Sequence, residues 1–153
     1  MTEALAIGQR ILQQQPFSML IGAQLSAFSA GYAEIVVPVR DELKQQHGFV
    51  HGGVLSYAAD NALTFAGGSA LGVAVVTAEY KINYLRPALG ERLIARAKVL
   101  HAGRSQAVCR CDLFMVDGGD ERLCAVAQGT ISRIGEPSGS AGPSVDAEAP
   151  ART

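Results

Sequence analysis

From Gly52 to about Ala66 the chain carries its one strong helical segment, and apolar residues cover more than half of that helix's circumference. Val54, Leu55, Ala58, Ala59, Ala62, Leu63 and Ala66 recur at the i, i+3, i+4, i+7 spacing of a broad buried stripe. Gly67-Gly68 is expected to end it. A rod this apolar needs cover on several sides at once. Beyond Gly72 the chain is β-like: Val73 to Leu85, Leu93 to Ala102, Ser105 to Val116 and Leu123 to Ile134 read as strands. Two further strands, Gln24 to Gly31 and Tyr32 to Arg40, precede the helix, with Pro38 marking an edge or an end. One helix among antiparallel strands has one economical packing, in which a curved sheet wraps around the helix. The expected class is α+β.

Domain organisation follows from the punctuation. Residues 1–16 predict a short amphipathic helix with Thr2 as N-cap and Leu5, Ile7, Ile11 and Leu12 on its apolar face, stopped by Pro16. Residues 17–134 form the main domain, and 135–153, rich in Gly, Pro, Ser, Ala and acids, form an expected disordered tail. Asp117-Gly118-Gly119-Asp120 is a hairpin signal, and no internal repeat is present.

Composition narrows the partners. A length of 153 residues suits one core, and a net charge of −1 gives no reason to expect nucleic acid or an anionic membrane surface. No apolar run reaches the roughly 18 residues that span a bilayer; the longest, Ala62 to Val76, is broken by Thr64, Gly67, Gly68, Ser69 and Gly72. The N-terminus has its acid before and its base after the apolar stretch, the reverse of a secretory signal. Cys109, Cys111 and Cys124, an odd number, fit the reducing cytoplasm and read as small packing residues. His47 and His51 stand four apart, but glycines interrupt any helix between them, so no metal site and no cofactor are expected. Gly-x-Ser-x-Gly, P-loop and dinucleotide-binding patterns are absent.

The chemistry concentrates in Gly48-Phe49-Val50-His51-Gly52-Gly53 and the helix that follows. A helix start leaves N–H groups unpaired, and glycine lets a ligand approach them, so the Gly52 or Gly53 amide suits an oxyanion. His51 suits either orientation of a substrate carbonyl or a side-chain bond that holds the loop. Asp60 lies on one side of the helix with Ser56 and Thr64, a narrow polar strip on a buried rod. Such a carboxylate suits a base that activates water, a nucleophile, or a structural group in a dimer interface. Arg86 and Arg104 adjoin turns where a polyphosphate could be reached, and Arg110 is a third separate cation.

GFVHGGVLSYAADNA, VVTAEYKINYLRPA, the Gly103-Arg104 turn, the DGG hairpin and the closing AQGTISRI together resemble the hotdog-fold acyl-CoA thioesterases of the phenylacetate-degradation (PaaI-like) family, over roughly Phe17 to Ile134. The resemblance implies a hotdog fold, homodimers or homotetramers, and active sites shared between subunits. It implies Asp60, Gly52, His51 and Gln45 as catalytic residues, with Gly52 of one subunit facing Asp60 of the other. Gly53, Thr64, Thr77, Arg86 and Arg104 are the expected substrate-binding residues. Gln45 stands where the family often has Asn, six residues before the motif histidine. Thr77 matches the family's hydroxyl residue, yet strict alternation puts it opposite Tyr80, so its access requires strand twist or a bulge.

The expected reaction is hydrolysis of an acyl-CoA thioester to free acid and coenzyme A, with aromatic, short and medium acyl groups all open. Phe49, Tyr57, Leu63 and Phe65 are pocket or core residues. A non-catalytic acyl-CoA binder is the first alternative, disfavoured because a binder gains nothing from burying an acid. A hotdog hydroxyacyl-CoA dehydratase working through His51 and Asp60 is the second.

Overall fold

The computed structural model describes residues 2–72 and 74–135. The tail expected over 135–153 therefore lies outside the described residues, Gly135 excepted. Two short helices come first, α1 (Glu3–Gln13) and α2 (Pro16–Ile21). Strands β1 (Gln24–Ser29) and β2 (Tyr32–Pro38), a 3₁₀ turn at Asp41–Leu43 and the long helix α3 (Gly52–Leu71) follow. The chain closes with β3 (Val75–Tyr84), β4 (Arg92–Ala102), β5 (Gln106–Asp117) and β6 (Asp120–Arg133).

The strands make one antiparallel sheet in the order β1-β2-β4-β5-β6-β3, and α3 touches all six. Ala58, Ala59, Ala62 and Ala66 are fully buried on the helix side, against Ile35, Leu93, Leu113 and Ile131 from the sheet. Small helix residues let the sheet come close, and the long aliphatic strand residues fill the space between. Cys109, Cys111 and Cys124 are free thiols within this packing.

Two boundaries differ from the sequence expectation, each for a local reason. The helix runs through Gly67-Gly68 and ends at Leu71, with Gly72 as left-handed C-cap at φ 71°. Gly67 serves close approach: a Cβ there would stand 2.7 Å from Ile131. Pro16 does not lead directly into a strand, because it opens α2 at its first position and Gly22 closes that helix at φ 80°. Pro38 sits at the end of β2, an interior strand, and the hairpin at Gly118-Gly119 has positive φ at both glycines.

Candidate active site

The loop before α3 is tightly determined. Gln45 donates its N–H to the Phe49 carbonyl at 2.8 Å and receives that of Gly48 at 3.0 Å, with Gly48 at φ 83°. His51 N–H bonds the Leu43 carbonyl at 2.8 Å, and Val50 N–H bonds Ala88 at 2.9 Å. His51 is the N-cap of α3, and its Nδ1 accepts the Gly53 N–H at 2.9 Å. This is the loop-holding role among the two left open for His51. It also separates the two glycines. The Gly53 amide is occupied, whereas the Gly52 N–H donates to no atom among the described residues. Gly52 thus offers one unpaired donor at the positive end of a 20-residue helix.

Gly52 shares a cavity of about 430 Å³ with Gln45, Phe49, Val50, Tyr84 and Arg86. The Tyr84 hydroxyl donates to the Gly52 carbonyl at 3.1 Å, and its ring would lie 3.5 Å from a Cβ at Gly52. Gln45 turns its side-chain oxygen to the His47 N–H, within its own loop. Arg86 is exposed at the rim.

Asp60 lies two turns along the helix, eight positions or roughly 12 Å from Gly52 at the ~1.5 Å rise of an α-helix. It is half-buried, and its Oδ1 accepts the Thr77 hydroxyl at 2.6 Å. Thr64 Oγ1 donates to the Asp60 carbonyl at 2.8 Å and lies 2.9 Å from Thr77 Oγ1. Ser56, the third member of the polar strip, bonds the Tyr80 hydroxyl. Strict alternation put Thr77 and Tyr80 on opposite faces, and a bulge overturns it: Thr77 pairs with Ile131 and Glu79 with Thr130, leaving Ala78 as the extra residue. Both side chains consequently face α3.

The wall opposite Asp60 escaped the sequence reading. Gln14, Gln15, Pro16 and Phe17, at the elbow between α1 and α2, enclose a cavity of about 440 Å³ with Tyr57 and Asp60. The elbow is pinned by a buried polar cluster. Tyr57 donates to Ser18 Oγ at 2.6 Å, Ser18 donates to Gln15 Oε1 at 2.6 Å, and Asn61 Nδ2 reaches the Tyr57 hydroxyl at 2.9 Å. Burial pushes the Tyr57 hydroxyl above the ordinary tyrosine range, against its hydrogen bonds with Ser18 and Asn61. Phe17 meets the Tyr57 ring edge-on at 5.3 Å. The Pro-to-Gly interval from Pro16 to Gly22 was the available signal for α2.

Arg104 stands apart. Its turn joins β4 to β5 at the end of the sheet where Ser105 receives the Arg133 N–H, and Arg133 pairs with Val75 at the start of β3. Arg86 follows the other end of β3, so within one chain the two cations lie at opposite ends. Arg110 bonds Asp112 at 2.9 Å. Of the four candidate pocket residues, Phe49, Tyr57 and Phe65 line cavities, and Leu63 is fully buried core. No helix among the described residues is long and apolar enough to cross a membrane.

An antiparallel sheet wrapped on a central helix is the hotdog architecture. The sequence agrees: residues 47–122 match the thioesterase superfamily. The acyl-coenzyme A thioesterase PaaI of Escherichia coli K12 is 31% identical over 116 residues, covering 75% of this chain and 80% of PaaI. The solved structure of E. coli PaaI superposes with a TM-score of 0.77 at 26% identity, over 86% of this chain and 94% of that one. A thioesterase family protein from Silicibacter pomeroyi superposes at 0.76 with 34% identity, over 80% and 92%. The chain belongs to the hotdog-fold thioesterase superfamily, in its PaaI-like family.

Proposed function

We propose that the protein hydrolyses acyl-CoA thioesters to a free acid and coenzyme A, at sites each built from two copies of the chain. The Gly52 amide of one copy holds the thioester oxygen, and Asp60 of the other copy directs water at the carbonyl carbon or attacks it itself. The C–S bond breaks, a C–O bond forms, and coenzyme A leaves as the thiol. A thioester is already an activated acyl group, so the reaction is written without metal or cofactor.

The observation that carries this reading is the pairing of Thr77 with Asp60. Thr77 engages only Oδ1, and Oδ2 accepts no bond from a described residue, so one oxygen is oriented and the other stays open for water or a carbonyl. The separation of roughly 12 Å supports sharing between copies, since one carbonyl cannot meet both groups of one helix. β3 lies at the edge of the sheet, with Val76 and Tyr84 about half exposed. A two-fold pairing along β3 would set its Val75 end beside the partner's Tyr84 end. The same pairing would bring Arg104 of one copy towards Arg86 of the other, around the phosphates of coenzyme A. Homodimers or homotetramers in the cytoplasm follow from this reading, the latter compartment suited to three free cysteines.

A thiol-release screen with acetyl-, butyryl-, octanoyl-, phenylacetyl- and hydroxybenzoyl-CoA tests the activity. Release from at least one, independent of added metal or cofactor, is expected. Tight acyl-CoA binding with no thiol released would contradict it, as would hydration or dehydration of an enoyl- or hydroxyacyl-CoA in its place.

A further inference from the structure

A cavity of about 600 Å³ lies between α1 and the second half of α3. Its walls are mainly apolar: Ile7 and Ile11 from α1, Phe28 from β1, Phe65 and Gly68 from α3, and Val75 from β3. It shares Gln15 and Thr64 with the cavity beside Asp60. We propose that this chamber seats the apolar end of the acyl group, and that Ile7, Ile11 and Gly68 set the length it accepts. The assignment rests on the thioester-hydrolysis reading and names the residues that set acyl length within it.

Position makes the first argument. Thr64 is four positions, ~6 Å, beyond Asp60, and its hydroxyl donates to the Asp60 carbonyl and lies 2.9 Å from Thr77 Oγ1. Thr64 and Gln15 border both the cavity at Asp60 and this chamber, so an acyl chain whose carbonyl is held at Asp60 has the chamber next to it. Size makes the second. The volume falls within the roughly 300–1,000 Å³ of small-molecule pockets, and an acetyl group would leave most of it to water.

The walls are apolar and held in place. Ile7 and Ile11 are 41% and 47% exposed, so α1 turns large aliphatic groups to the chamber without burying them in the core. Gly8, one residue on, anchors α1 against Leu25 and Phe28, where a Cβ would stand 2.6 Å from Leu25. The other end of α1 is fixed through Gln15, which accepts from Ser18 and from Asn61 Nδ2 at 3.2 Å. Ser18 and Asn61 are only 1% and 9% exposed, so these bonds are shielded from competing water. Gly68 leaves the α3 wall low, since a Cβ there would stand 3.1 Å from Val75 and project into the gap.

The test is a series of straight-chain acyl-CoAs from acetyl to dodecanoyl, with phenylacetyl-CoA, assayed for thiol release by wild type, Ile11→Phe and Gly68→Ala. For wild type, kcat/KM should rise about fourfold per methylene until the chamber is full, the ratio that burying a methylene supports. Both substitutions should move the optimum to shorter chains. Gly68→Ala guards against a folding artefact once its melting temperature matches wild type, since alanine is the better helix former while its Cβ meets Val75 at 3.1 Å. An unchanged chain-length profile would overturn the proposal. So would an Ile11→Phe protein that changes oligomeric state and loses all substrates equally, since α1 would then be covered by another copy. If wild type releases no thiol from any member, the hydrolysis reading fails separately. Calorimetric titration with octanoate and decanoate then decides the chamber: about tenfold weaker binding to Ile11→Phe supports it, and equal binding overturns it.

Discussion

Thr77 donates its hydroxyl to Asp60 across the gap between β3 and α3, at 2.6 Å, because the bulge at Ala78 turns it inward. The bond fixes one carboxylate oxygen and links a sheet edge to the helix that carries the acid. Without the bulge Thr77 would point away from α3 and Asp60 would lose its only side-chain donor among the described residues. Bulges near sheet edges commonly re-aim a side chain in this way.

Thr77→Val keeps the shape and removes the donor. It should lower kcat by about tenfold with little change in KM, as expected when a positioned group becomes free to rotate. Thr77→Ser should restore most of the rate. A valine variant with wild-type kcat would show that the bond does not position the carboxylate.

Gly52 permits an unusually clean deletion of one amide. Proline suits the first position of a helix, and His51, at φ −60° and ψ 136°, already has the extended conformation proline demands of the residue before it. Gly52→Pro should therefore fold with an unchanged melting temperature and lose ~10²–10³ in kcat, the effect of removing one oxyanion donor. Mixing it with an inactive Asp60→Ala protein under subunit exchange should restore activity, since a mixed dimer has one intact shared site. Absence of any recovery would place both groups in one chain.

Much of this arrangement was legible in the sequence, for identifiable reasons. The α3 stripe and the Gly-Gly hairpin are local signals, and both recur in the structure at their expected residues. The end of α3 was not legible, because Gly67-Gly68 carries a stop signal locally and meets a long-range demand from Ile131 sixty-four positions later. Thr77's side depended on the register between β3 and β6, which no β3 residue reveals alone. The cluster of Gln15, Ser18, Tyr57 and Asn61 joins segments about forty positions apart in the chain, so its members look like ordinary polar residues in isolation.

Gly67→Ala separates the two pressures on that glycine. Alanine is favoured in a helix by ~1 kcal/mol, but its Cβ would stand 2.7 Å from Ile131, which is core. Overpacking should win, with a loss of about 1–3 kcal/mol and a melting temperature lower by roughly 2–8 °C. A rise in melting temperature would mean that β6 yields easily.

The cysteines set an alkaline limit. Burial pushes the Cys109 and Cys124 thiols up to about 11, and Cys111 higher still, with the nearby Asp112 adding to it. Ordinary thiols ionise near ~8.5, so above that pH the unfolded chain sheds protons that the folded chain retains. The stabilising contribution is complete below pH ~8.5 and is lost as pH rises towards 11. Denaturant titrations across that window should show falling stability. Native protein should resist iodoacetamide at pH ~8, whereas unfolded protein reacts at three thiols. Rapid labelling of the native state would contradict this.

The most direct measurement is thiol release by Asp60→Asn, assayed on the best acyl-CoA substrate beside wild type, with the oligomeric state of both determined in parallel. Asparagine keeps the size and the bond from Thr77 but removes the charge that activates water or attacks. The rate should fall by ~10²–10⁴, the range for loss of a catalytic base, with the assembly unchanged. Wild-type turnover by an intact Asp60→Asn oligomer would contradict the catalytic role of Asp60.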